Sequence, residues 1–208
     1  MLWALISLFF FWLVFRELTG RLPISRGYLI VSLSLALLFA WPPFHHWRFE
    51  RFLTHVANQL TEGRPAKVHC NTLFDTLFDE QPRVYGHADP KTGYIVIQYP
   101  KCSLLMSYVK HPQRATLDEL ISLNILTHES MHARGEYNEA KTECEAVQRN
   151  YRTAKLLGVP ANIAKQNALD YYKNFYLARN DGYFSKECAP GKAMDDHLKD
   201  STWDESVP

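Results

Sequence analysis

Hydrophobic and polar positions along the chain fall into three regimes. Residues 1–15 carry no charged side chain, and residues 28–44 form a second uncharged run. Each is a little short of the roughly 20 apolar residues that a spanning helix prefers. Flanking arginines that snorkel, with Trp3, Trp12, Trp41 and Trp47 near the ends, make up the difference. A two-helix transmembrane hairpin is therefore predicted over residues 1–44. Pro42-Pro43 should end its second span, because proline removes amide donors and disfavours helix before it. A signal peptide is the rival reading, but the run lacks a basic start and a small-residue cleavage site after Phe15.

From His46 to Leu60 the pattern becomes amphipathic, with Phe49, Phe52, Leu53, Val56 and Leu60 on one side and Gly63 beyond the end. This predicts a juxtamembrane helix which, with its linker, occupies residues 45–66. The remaining domain, residues 67–188, mixes short elements. Asn71 can cap a short helix with Leu73, Phe74, Leu77 and Phe78 as its core stripe. A β-hairpin is signalled by Arg83–His87 and Tyr94–Tyr99 around a turn containing Asp89, Pro90 and Gly93. Thr116 with Glu119 forms a capping box ahead of a helix to Arg134, with Leu117, Ile121 and Ile125 on its inner face and Gly135 as its stop. Asn138 can cap a further helix to Leu157, terminated by Gly158. Pro160 suits the first turn of a last helix containing Ile163, Leu169, Tyr172, Phe175 and Tyr176, stopped by Asn180-Asp181-Gly182. Residues 189–208 are polar, with Trp203 as a candidate anchor, and are predicted to be a loosely ordered tail. The fold class expected is mainly α with a small β-hairpin, an α+β domain behind a membrane hairpin.

Charge and cysteines refine the setting. A formal net charge of +1 provides no basic field for nucleic acid. Arg16, Arg21 and Arg26 cluster around the connector between the two spans, which by the positive-inside rule favours a cytoplasmic connector and a domain facing the periplasm or exterior. Cys70, Cys102, Cys144 and Cys188 contain no Cys-x-x-Cys, and their even number fits two disulfides in an oxidising compartment, with buried thiols as the alternative. Three pairings are open; Cys70–Cys102 with Cys144–Cys188 closes two moderate loops.

The candidate chemistry lies in His128-Glu129-Ser130-Met131-His132. On a helix the two histidines are four apart and share a face, so both imidazoles can reach one metal ion. Glu129 beside them is placed to take a proton from water that such an ion polarises. Glu139 and Glu143 fall on one face of the following helix. A short turn makes the two helices antiparallel, bringing Glu139 level with His132 and Glu143 level with His128. One carboxylate can complete the metal site while the other accepts the outer N–H of a histidine; spacing leaves open which does which.

His128-Glu129-x-x-His132 with a glutamate from the next helix resembles the gluzincin class of zinc metallopeptidases. The longer run His-Glu-Ser-x-His-x-x-Gly-x-x-x-Glu-Ala-x-x-Glu-Cys-x-Ala, from His128 to Ala146, resembles small uncharacterised bacterial proteins regarded as metallopeptidases. The resemblance implies a minimal zincin-like core over residues 67–188, Zn2+ held by His128, His132 and Glu139, Glu143 supporting a histidine, Glu129 as general base, and a peptide or protein substrate. It also implies that a strand edge beside the metal can hold an extended peptide, the alternative being a hairpin that only packs against the helices. Among the isolated histidines, His69, His87, His111 and His197, none is positioned by its neighbours, and neither Tyr137 nor Arg134 takes a role from spacing alone. The alternative function is a non-catalytic, membrane-tethered envelope binding domain with a structural metal site, closed by four protein ligands.

Overall fold

A computed structural model describes residues 2–20, 25–81 and 83–203. The chain forms two compact units, Met1–Arg51 and Phe52–Pro208. Helix α1 (Leu2–Thr19) and the first part of α2 (Arg26–Leu60) make up the first unit. Both helices are long and apolar enough to cross a membrane. They touch through the Ser7 hydroxyl, which donates to the Ala36 carbonyl at 2.9 Å, and through Phe10 stacked on Phe39 at 5.8 Å. Leu5, Leu8 and Phe15 of α1 and Ile30, Leu37 and Leu38 of α2 point outward and are exposed. Helices apolar all round in this way match a hydrocarbon surrounding. Residues 21–24, including Arg21 of the connector, lie outside the described residues.

One expectation is corrected here. Pro42 and Pro43 do not end a helix; α2 runs through both to Leu60. Each ring fixes φ near the helical value and removes only its own N–H, so the helix forgoes its bonds to the Leu38 and Phe39 carbonyls and continues. The amphipathic stretch is therefore the last part of α2 rather than a separate helix, and it buries Leu53, Val56, Ala57 and Leu60.

The second unit is built on a small sheet against helices. Strand β1 (Lys67–Cys70) pairs in parallel with β3 (Tyr94–Ile97), and β2 (Gly86–Asp89) pairs antiparallel with β3, giving the order β1-β3-β2 among the described residues. Ile95, Val96 and Ile97 of the central strand are buried. The predicted hairpin is present, though its first strand starts at Gly86, while β1 has too few residues to show a period. Helix α3 (Leu73–Leu77) is capped by Thr72 rather than Asn71. Its apolar residues are not a core stripe: Leu73, Phe74, Leu77 and Phe78 are all exposed. Helix α4 (Lys101–Lys110), which the pattern did not signal, buries Leu105 and Tyr108.

Helices α5 (Leu117–Arg134), α6 (Glu139–Leu156) and α7 (Ala161–Asn174) complete the domain. The capping box of Thr116 and Glu119, the left-handed Gly135 (φ 112°) and the Asn138 cap are all formed. Pro160 occupies the cap of α7 rather than its first turn, and α7 ends before Phe175, short of Asn180. Disulfides Cys70–Cys102 and Cys144–Cys188 tie β1 to α4 and α6 to the segment after α7. The polar C-terminal stretch differs from a loose tail as far as Trp203. Asp196 pairs with Arg149 at 2.7 Å, Asp200 with Arg152 at 2.6 Å, Thr202 is buried, and Trp203 packs 5.2 Å from Tyr172. The acidic side chains that look solvated in sequence have arginine partners on α6. Residues 204–208 lie outside the described residues.

Candidate metal centre

The site is made at the corner between α5 and α6. Gly135 turns the chain with positive φ, Glu136 accepts from the amides of Tyr137 and Asn138 at 2.9 and 3.0 Å, and Asn138 caps α6. His128 and His132 leave α5 one turn apart, and Glu139 opens α6 opposite them. Nε2 of His128 lies 3.0 Å from Nε2 of His132, and Glu139 Oε2 stands 3.2 and 3.3 Å from these two nitrogens. These three atoms could hold a metal ion. Ligands placed tetrahedrally around zinc stand about 3.3–3.4 Å from one another, so the spacing fits such an ion.

The outer nitrogens explain why the inner ones face each other. Nδ1–H of His128 donates to Glu143 Oε2 at 2.8 Å, and Nδ1–H of His132 donates to the Glu136 carbonyl at 2.8 Å. Each bond places the ring proton on Nδ1 and leaves a lone pair on Nε2. Glu143 is buried and well supplied with donors. Tyr171 donates to it at 2.8 Å and Asn124 at 3.1 Å, while Arg179 lies 3.5 Å away. Asn124 is itself held by Asn150 at 2.9 Å. Burial alone would raise the Glu143 carboxyl, but the hydrogen bond and charge of His128, then Tyr171 and Arg179, hold it below the usual range. Glu139 and Glu143 thus have separate positions, one among the inner nitrogens and one behind His128.

The carboxylates around His128 act on its protonation. Burial opposes charge on His128, yet hydrogen bonds to Glu139 and Glu143 and the nearby carboxylates push it up to about 10. Glu129, the next residue of α5, is buried, and its Oε2 has no hydrogen-bond partner among the described residues. Burial raises it to about 7, against the pull of His128 and with the charges of Glu139 and Glu143. Gly86 of β2 lies against it: a Cβ there would be 2.9 Å from Ile125 Cγ2 and 3.2 Å from Glu129 Cγ. The bare glycine is what lets β2 approach α5 at this point.

These groups line a cleft of about 790 Å³. Its walls include β2, here an edge strand, and Tyr137, Arg179 and Tyr183. Arg179 stacks over Tyr183 at 4.6 Å and pairs with Asp181 at 2.9 Å. Of the isolated histidines, His87 lines the cleft. Arg134 turns elsewhere, pairing with Glu62 and Glu145. The floor is less apolar than the pattern of α5 implied, because Asn124, Glu143, Asn150 and Tyr171 form a hydrogen-bonded layer beneath His128. Asn124 carried a signal, being one turn before His128 on the same face; Tyr171, Arg179 and Tyr183 carried none, since only the tertiary fold brings them in. Comparison with protein-family models, curated proteins and solved structures gives no match, so the site is read on its own geometry.

Proposed function

We propose that this protein is a membrane-anchored, zinc-dependent metallopeptidase. The observation that carries the reading is the meeting of His128 Nε2, His132 Nε2 and Glu139 Oε2 within 3.3 Å, beside the buried Glu129 carboxylate and open to a cleft. A zinc ion held there supplies Lewis-acid polarisation of water and of a scissile carbonyl. Glu129 accepts the proton of the attacking water and delivers it to the departing amine. Glu143 and the Glu136 carbonyl keep both imidazoles in the tautomer that binds. With Glu143 engaged on the outer nitrogen of His128, His128, His132 and Glu139 would be the three protein ligands of an ion, which favours catalysis over a structural zinc closed by four. The outer edge of β2, which pairs with no further strand among the described residues, offers backbone donors and acceptors to an extended peptide.

In this reading α1 and α2 span the bilayer, and the domain lies in the periplasm or outside the cell, where Cys70–Cys102 and Cys144–Cys188 persist. Glu129→Gln tests the assignment. The variant should keep stoichiometric zinc and lose hydrolysis of a mixed peptide library; undiminished hydrolysis would remove Glu129 from the mechanism.

A further inference from the structure

Helix α3 is amphipathic in the inverted sense. Its polar side chains face the protein: Thr76 accepts from the Tyr99 amide at 3.0 Å, and just beyond the helix Asp79 accepts from Asn71 at 2.9 Å. Asn71 in turn donates to the buried Gln98 at 2.8 Å. Its apolar side chains face out, with Leu73, Phe74, Leu77 and Phe78 exposed by 57, 67, 66 and 74 %. Phe74 and Phe78 pack on each other at 4.7 Å, and Tyr99, 44 % exposed, lies at the flank. The capping box of Thr72 and Asp75 and the bonds to Tyr99 and Gln98 hold this orientation.

We propose that Leu73, Phe74, Leu77 and Phe78 insert into the headgroup–acyl boundary of the bilayer, making α3 a second, interfacial point of attachment. The inference rests on the reading of α1 and α2 as spans. Chain length allows a bilayer, and area favours it over a protein. The twelve residues between α2 and α3 extend at most about 43 Å, more than the roughly 24 Å that α2 rises beyond Phe44. Area is against a protein: four such side chains offer on the order of 500 Å², below the roughly 800 Å² per partner of a stable interface. A tethered domain needs no more than that to settle on the surface, because the anchor supplies the local concentration. Charge then narrows the lipid. Asp75, Asp79 and Glu80 beside the ridge give no attraction to anionic headgroups, so insertion is carried by apolar contact and proceeds in neutral lipid.

The full chain, reconstituted in phosphatidylcholine vesicles whose acyl chains carry a photoactivatable diazirine, tests this by mapping lipid adducts. Expected are adducts on α1, on the apolar part of α2 and on residues 73–78, the last about tenfold above residues 189–203. The paired substitution Phe74→Asp and Phe78→Asp should abolish labelling of residues 73–78 and leave that of α1 and α2 intact. Labelled spans with residues 73–78 at background would overturn the proposal while sparing the spans. Unlabelled spans would overturn both. In a second preparation with a diazirine-bearing amino acid in place of Phe74, protein–protein crosslinks instead of lipid adducts would assign the ridge to a second copy or another protein and refute insertion.

Discussion

Glu143→Gln separates a carboxylate that binds the ion from one that prepares a histidine. The replacement keeps shape and volume but exchanges one acceptor oxygen for an NH2 group. Placed at the Oε2 position, the amide faces Nδ1–H of His128, now 2.8 Å from an acceptor. His128 must then move its proton to Nε2, the nitrogen the ion needs. Placed at the Oε1 position, the amide meets the Tyr171 hydroxyl and Asn124, both donors, with Arg179 close by. Either orientation loses a charge-assisted hydrogen bond in a buried setting. Loss of such a partner typically weakens metal binding 10–100-fold, or about 1.4–2.8 kcal/mol. Competition for zinc against a chromophoric chelator measures it directly, with far-UV circular dichroism confirming the fold. Glu139→Gln is the companion variant, and should weaken zinc at least as much while changing zinc-free stability less, since Glu139 is half exposed and Glu143 is buried. A folded Glu143→Gln protein that binds zinc within twofold of the parent would refute the role given to Glu143.

Three further outcomes are expected. Gly86→Ala forces a Cβ to 2.9 Å from Ile125 and 3.2 Å from Glu129; it should cost about 1–3 kcal/mol in urea unfolding and lower kcat while zinc content stays whole. Removing Cys144–Cys188 by a double serine substitution releases a loop with a sequence separation of 44, and should lower urea-unfolding stability by about 4 kcal/mol in the chain-entropy account. His128 in the zinc-free protein has its pKa raised from 6.5 to about 10, so its contribution to stability is fully present below the unfolded value and is lost as pH climbs through the folded one. Thermal midpoints of the zinc-free protein should therefore fall across that window, and zinc affinity, which needs the proton removed, should rise across it.

Much of the site was legible because its determinants are local. The capping box at Thr116, the stop at Gly135 and the cap at Asn138 each act within one turn of helix, and together they set the corner where His128, His132 and Glu139 meet. What escaped the sequence depends on partners far along the chain. β1 is recognisable only through its pairing with β3, and Tyr171 and Arg179 reach Glu143 only because α7 and the segment after it fold back. The inverted face of α3 shows the same limit, since a stripe of Leu73, Phe74, Leu77 and Phe78 has one periodicity whether it points inward or out. The C-terminal aspartates looked solvated because their partners, Arg149 and Arg152, lie on α6.

The four-residue corner from Gly135 to Asn138 makes the meeting of His128, His132 and Glu139 a matter of chain length. Inserting or deleting one residue there would break the bonds that Glu136 and Asn138 make to the start of α6 and shift Glu139 away from His128 and His132. Tyr137 is exposed, so a substitution there leaves those bonds in place. The same economy means that every donor proposed for the ion falls between His128 and Glu139, so the loop closed by coordination is very short. The entropy cost of closing so short a loop is correspondingly small.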